Sequence, residues 1–134
     1  PGGTLGKKLF MRVSDLSAQN EKPWVTKENT LKDVIIEITN KRLGIAAVLD
    51  ENQVISGVIP DGDLRRMLEK NMSIENVTAT NIMSANPKTI SSGELAVAAL
   101  DKMRKNNITL LLVVENEKYA GIIHHHDLIR EGII

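Results

Sequence analysis

Two aspartates and three consecutive histidines are the residues in this sequence whose types and spacing suit chemistry. Asp63 and Asp127 lie in a phrase that occurs twice, GVIPDGDLRR at 57–66 and GIIHHHDLIR at 121–130. Each copy runs Gly, apolar residues, three turn-forming or polar residues, Asp-Leu, and an Arg two places on. Val58-Ile59 and Ile122-Ile123 are β-branched and suit a strand. The aspartates then fall in the first turn of a helix, facing the positive end of its dipole. A strand that turns directly into a helix leaves unpaired N–H groups pointing outward, which suits an anionic ligand. A carboxylate there can accept hydrogen bonds from ribose or sugar hydroxyls, and Arg65, Arg66 and Arg130 can balance a ligand's charge. The competing explanation is structural: Asp at the third helical position is a common cap partner, and Arg on an exposed helix face is usually solvated. The residue types leave both explanations open.

The run His124-His125-His126 invites a metal. If strand geometry carries through it, His124 and His126 share a face and can hold a cation with Asp127. Against that stands the lack of a rigid, distant third ligand. A polar contact to a ligand, titrating near about pH 6 to 7, and a plain helix start are the other readings. Thr109, aligned with Ile45 near the start of a middle strand, is a candidate hydroxyl, with simple β-propensity as its alternative.

Both phrases are placed by the same series of elements. Trp24 to Thr26 reads as a short extended piece, and Thr30 with Asp33 as a capping box ahead of Leu31, Val34, Ile35 and Ile38 at helical spacing. Lys41-Arg42 before Gly44 ends that helix. Ile45 to Leu49 suits a buried strand, Asp50-Glu51-Asn52 a turn, and Val54 to Ile59 the return strand into a helix from about Asp61 to Lys70. An ungapped register of 64 residues repeats the order: Leu31 answers Leu95, Lys41 answers Lys105, Gly57 answers Gly121 and Asp63 answers Asp127. Ser91 with Glu94 is expected to cap the second long helix and Asn106-Asn107 to close it in the left-handed region. The methionines (11, 67, 72, 83 and 103) read as fillers of the core or of an interface.

The boundaries expected are a connector over 1–12, a first repeat over 13–72 and a second over 73–134. Each repeat is β-α-β-β-α, an α/β arrangement of the α+β type. Units so small bury little surface, so the two are expected to pack on each other about a pseudo-twofold axis.

Composition narrows the function. With 17 basic and 17 acidic residues the net charge is zero, and at 2% aromatic residues there is no stacking platform. A nucleic-acid-binding or membrane-surface protein would carry a basic excess. The absence of cysteine removes disulfides, thiolate metal sites and thiol nucleophiles, and suits the cytoplasm. No nucleophile–base pair or phosphate loop stands out, so independent catalysis is not expected. The start at Pro1-Gly2-Gly3 without an initiator Met suggests a piece of a longer protein.

A tandem β-α-β-β-α repeat ending in Gly, two apolar residues, three others and Asp-Leu resembles a pair of cystathionine-β-synthase (CBS) domains, from Val13 to the C-terminus. More closely, PGGTLGKKLFMRVSDL, DGDLRR and HHHDLIREG are similar to the C-terminal half of bacterial D-arabinose-5-phosphate isomerases. In that family a sugar-isomerase (SIS) domain precedes the CBS pair, and the enzyme feeds synthesis of the acidic sugar Kdo. The opening Pro-Gly-Gly-x-Leu-Gly-Lys is the more specific signal, since generic CBS pairs lack it. The resemblance implies that the catalytic SIS domain lies outside this chain, which is therefore no enzyme by itself. It implies a regulatory pair that binds an anionic nucleotide or nucleotide-sugar between its repeats, with CMP-linked Kdo as feedback effector and no required cofactor. Dimerisation through the helices and a homotetramer in the full enzyme are part of the same expectation. Nucleotide-binding CBS domains usually place Ser or Thr three residues before the Asp. Here Pro60 and His124 stand there, and Pro60 has neither hydroxyl nor N–H to give. The ligand residues so expected are Asp63, Asp127, His124, His126, Thr109, Arg65 and Arg66. The alternatives are a structural module that holds the tetramer without a ligand, and a metal sensor at the histidines.

Overall fold

The computed structural model describes residues 6, 8–70 and 74–134. Helix α1 is Val13–Ser17, followed by strand β1 (Trp24–Thr26), helix α2 (Leu31–Lys41), strands β2 (Ile45–Leu49) and β3 (Ile55–Pro60), and helix α3 (Asp61–Glu69). Helix α4 (Ala79–Ile82) opens the second round, with β4 (Thr89–Ser91), α5 (Ala96–Asn106), β5 (Leu110–Glu115), β6 (Lys118–His124) and α6 (His125–Arg130). Each round thus contains β-α-β-β-α. The sheets are three-stranded, ordered β1-β2-β3 and β4-β5-β6, with the first pair parallel and the second antiparallel in each.

The compact units interleave the two rounds. A central unit is Lys22–Pro87, and a terminal unit joins the segment ending at Glu21 to Lys88–Ile134. The sequence repeats at 13–72 and 73–134 therefore divide the chain differently from its packing. The cause is α1, whose Val13 and Leu16 are fully buried in the core of the terminal unit with Ala96, Met103, Leu111, Val113, Ile123 and Leu128. Helix α4 does the same for the central unit, where Ala79 and Ile82 join Val25, Leu31, Val34, Ile38, Val48 and Ile59. A five-residue or four-residue helix has too few internal bonds to stand alone, so tertiary burial decides where it goes.

The ungapped register of 64 residues requires correction. Helix α4 follows α1 at 66: Val13 N–H donates to Glu94 O at 2.8 Å, and Ala79 N–H to Asn29 O at 2.9 Å. Through α2 and β2 the offset is 65, since Leu31, Val34 and Ile38 are matched in the core by Ala96, Ala99 and Met103. Val25 pairs with Val48 as Ile90 pairs with Val113. From β3 onward the offset is 64. One residue is lost between the short helix and the first strand, and another at the hairpin. The second hairpin closes Glu115 directly on Lys118, with both Asn116 and Glu117 at positive φ, a tight two-residue turn. The first hairpin spends more residues, and there the Asp50 carboxylate accepts the N–H groups of Asn52 and Val54 at 2.8 and 3.0 Å. The one-residue slip keeps the same face of each strand toward its core, which is what fixes register in a half-buried sheet.

The helix caps divide. Thr30 and Asp33 form the expected reciprocal cap at α2, and Asn107 closes α5 at φ 54°. Ser91 and Glu94 do not cap α5: the helix begins at Ala96 after Leu95, with no side-chain cap. Met11 O accepts the first helical N–H, from Ala96, at 2.8 Å, as Val77 O accepts that of Leu31 at 3.2 Å at the start of α2. Within 1–12, residues 1–5 and 7 lie outside the described residues. Met11 packs against the core, and Arg12 Nη1 donates to Gly93 O at 3.1 Å. Met103 is buried in the same core, Met67 and Met83 pack against the central one, and Met72 lies outside the described residues.

Candidate functional site

Both repeated phrases build the expected junction, and the two differ in how they are wired. In the central unit β3 runs into α3 through Pro60, whose φ of −71° and ψ of 151° are extended. The proline provides no side-chain acceptor, and the first helical N–H, from Asp61, is taken by Gly44 O at 2.8 Å. One Asp63 oxygen is paired with Arg66 Nη2, and the other accepts from Ser84 Oγ at 3.2 Å. Asp63 is partly exposed, and its arginine is largely in solvent. Arg65 points elsewhere, forming an exposed pair with Asp61 at 3.2 Å that is worth little in water.

In the terminal unit β6 runs into α6 through His124. Its N–H donates to Asp127 Oδ2 at 2.8 Å, and its Nδ1 accepts the His126 N–H at 2.9 Å. The imidazole is thus the cap of α6, replacing the usual Ser or Asn oxygen. Accepting at Nδ1 requires the neutral ring with its hydrogen on Nε2. Burial pushes the His124 pKa below the ordinary histidine value, against an opposing pull from Asp127. Asp127 is 3% exposed. Its Oδ2 also accepts from Asn20 Nδ2 at 2.8 Å, and its Oδ1 from Arg130 Nη2 at 3.1 Å.

The sequence-based reading missed Ser84 and Asn20. Each comes from the segment that follows α4 or α1, and neither is visible from the repeated phrase. Ser84 exchanges both backbone bonds with Val58, at 2.9 and 3.0 Å, while Asn20 Nδ2 reaches Ile122 O at 2.9 Å. The Asp–Arg pairs at a spacing of three were legible from helix periodicity. Thr109 answers Gly44, not Ile45, and precedes β5; its carbonyl accepts the His125 N–H at 2.7 Å while its side chain is exposed.

The shared-face argument for a cation at the histidines does not hold. Helix α6 starts at His125, so His124 and His126 are not alternate residues of a strand, and their ring centroids are 6.4 Å apart at 70°. Among the described residues no three His, Asp or Glu side chains come together in a way that could hold a metal. Nor, among them, is any helix long and apolar enough to cross a membrane.

Two sheets with this topology, each leading Gly-φ-φ into an Asp-bearing helix, agree with the family comparison, in which the CBS domain matches residues 13–70 and again 79–133. The chain belongs to the CBS-domain family. As a CBS pair over these residues it contains no SIS catalytic domain of its own. Among curated relatives, the arabinose 5-phosphate isomerase KdsD of Salmonella typhi is 40% identical over 135 residues, covering all of this chain and 41% of the relative. The chain thus spans about two-fifths of that protein's length. Among solved structures, a putative acetoin utilization protein (AcuB) from Vibrio cholerae superposes with a TM-score of 0.80 at 19% identity, over 93% of this chain and 92% of the other. The CBS domain protein PAE2072 from Pyrobaculum aerophilum, solved in complex with AMP, gives a TM-score of 0.74 at 23% identity, over 88% and 90%. Such low identities establish the fold of the CBS pair.

Proposed function

We propose that this CBS pair is the regulatory, ligand-binding module of an arabinose-5-phosphate isomerase. It takes an anionic nucleotide or nucleotide-sugar at its strand-to-helix junctions, with CMP-Kdo as the effector. The observation that carries this reading is the Asp63 carboxylate, part-exposed in the first turn of a nine-residue helix with an arginine beside it. Such a helix start favours anions, and the carboxylate suits the hydroxyls of a ribose. The AMP complex of PAE2072 and the likeness to KdsD support it from outside the chain. The parent enzyme then carries a SIS catalytic domain, works in the cytoplasm and responds to the end of its own pathway. Calorimetric titration of the module with CMP-Kdo, CMP, AMP and ATP tests this. Heat with CMP-Kdo at the lowest concentration is expected, and silence with all four defeats the proposal.

A second reading, assembly without a ligand, has one observation in its favour. A groove of about 410 Å³ on the central unit is lined by Leu31, Ile35, Ile36, Leu68 and Ile74, with Lys32 and Glu75 at its rim. The positions that answer Ile36, Leu68 and Ile74 in the terminal unit are Asp101, Gly132 and Lys8, so the fold itself does not demand apolar residues there. The occupant is then a second copy of the module, with Lys32 and Glu75 offering both signs of charge to a self-complementary contact. On this reading Ile36→Glu or Leu68→Glu changes assembly and no effector response exists.

A further inference from the structure

Asp63 and Asp127 hold the same place in the repeated phrase, yet their surroundings have diverged. We infer that the two have divided the work: Asp63 is the carboxylate open to a ligand hydroxyl, and Asp127 is an internal tie. Asn20 is the positioning residue of that tie, which fastens the segment ahead of Pro23 to strand β6. The first half of the inference rests on the nucleotide reading above; the second half does not.

The divergence begins at one residue. His124 donates its backbone N–H to Asp127 Oδ2. Pro60, at the matching position, has no N–H, so this bond is missing at Asp63 and an acceptor site stays open. The remaining partners differ in the same direction. Those of Asp63 are a serine hydroxyl at 3.2 Å and an arginine with 65% of its side chain exposed, both free to turn toward water. Asp127 is buried and receives a backbone amide, the Asn20 carboxamide and the Arg130 guanidinium. At 3% exposure Asp127 offers a ligand hydroxyl almost no path to the lone pair that these three bonds leave, whereas Asp63 keeps 24% of its side chain exposed. Asn20 uses both hydrogens of Nδ2, one on Asp127 Oδ2 and one on Ile122 O. It bridges the helix start and the strand, work that Ser84 shares between its hydroxyl and its backbone in the central unit.

The test uses the whole chain, AMP and CMP as probes, and thermal unfolding beside calorimetry. Wild type is expected to bind one nucleotide per chain. Asp63→Asn should weaken binding at least tenfold and leave the melting temperature within about two degrees. Asp127→Asn and Asn20→Ala should each lower the melting temperature by several degrees, and the double variant should fall no further than the worse single one. Asn20→Ser, which borrows the hydroxyl of Ser84, should recover part of the loss and bind nucleotide as wild type does. Two nucleotides per chain overturn the inference, as does an Asp127→Asn variant that melts normally but no longer binds. Should wild type bind neither probe, the nucleotide reading falls separately. The tie is then decided by the unfolding data, where strictly additive losses refute it.

Discussion

Replacing Gly57 by alanine puts the seam between α4 and β3 under a load that can be worked out from distances. A Cβ built on Gly57 would stand 2.6 Å from Met83 Sδ and 2.8 Å from Ser84 O, both inside the closest approach that real Cβ atoms make. The methionine can swing aside. The carbonyl cannot, because it belongs to a backbone fixed to Val58 by bonds of 2.9 and 3.0 Å. Relief requires the 83–84 segment to move off the strand. Overpacking of this kind costs about 1–3 kcal/mol, and losing one of the two backbone bonds adds about 1 kcal/mol. A total of about 2–4 kcal/mol lowers the melting temperature of a domain of this size by roughly 10–20 °C. Thermal unfolding followed by circular dichroism measures it. Gly93→Ala serves as control: nothing lies within 4 Å of its added Cβ, so it should melt within about two degrees of wild type. If Gly57→Ala does likewise, the close approach of the 83–84 segment to β3 is refuted. Gly121, its repeat partner, needs glycine for another reason, a φ of 134° that side chains rarely adopt.

Other expectations arise from the same structure. Thr30→Ala removes the cap of α2, at a cost of about 1 kcal/mol by chemical denaturation, whereas Leu95→Ala removes no side-chain cap from α5. Leu111→Ala, in the buried middle of β5, should cost about 2–5 kcal/mol in the same assay, far more than truncating exposed Ile129. The depressed pKa of His124 means that the unfolded chain binds a proton more readily than the folded one. Its contribution is whole above the ordinary histidine pKa and is lost as pH falls through the lower folded value. His124→Asn keeps an acceptor for the His126 N–H and titrates nothing there, so its stability should decline less between pH 7.5 and 5.5 (chosen as about one unit either side of the ordinary pKa) than that of wild type. Equal declines would refute this.

Local chemistry was legible wherever it was self-contained. The Thr30–Asp33 cap, the left-handed Asn107, the Asp50 turn and both strand-to-helix junctions depend on residues within a few positions of each other. What escaped depends on distant chain. The cap expected from Ser91 and Glu94 is absent because the helix starts later, at Ala96, where Met11, far upstream, receives the first N–H. The register of 64 looked ungapped because identical residues, Leu31 with Leu95 among them, happened to line up, although burial pairs Leu31 with Ala96. Asn20 carries no motif at all, and only its reach to Ile122 and Asp127 gives it meaning. The two aspartates share the Gly, Ile, Leu and Arg of their phrases, and among the positions that differ, Pro60 against His124 decides whether a backbone N–H reaches the carboxylate.

The interleaving of the two units sets an order in which a growing polypeptide can mature. Every strand and helix of the central unit lies in one uninterrupted stretch, Lys22–Pro87, so it can close while synthesis continues. Val13 and Leu16 must wait, because the carbonyl that receives the Val13 amide belongs to Glu94 and their apolar neighbours come later still. Once Lys22–Pro87 is clear of the ribosome and 88–134 has yet to fold, the chain displays a finished half preceded by an apolar, uncovered segment. That segment stays uncovered until the stretch that reaches Leu128 has emerged to pack on it.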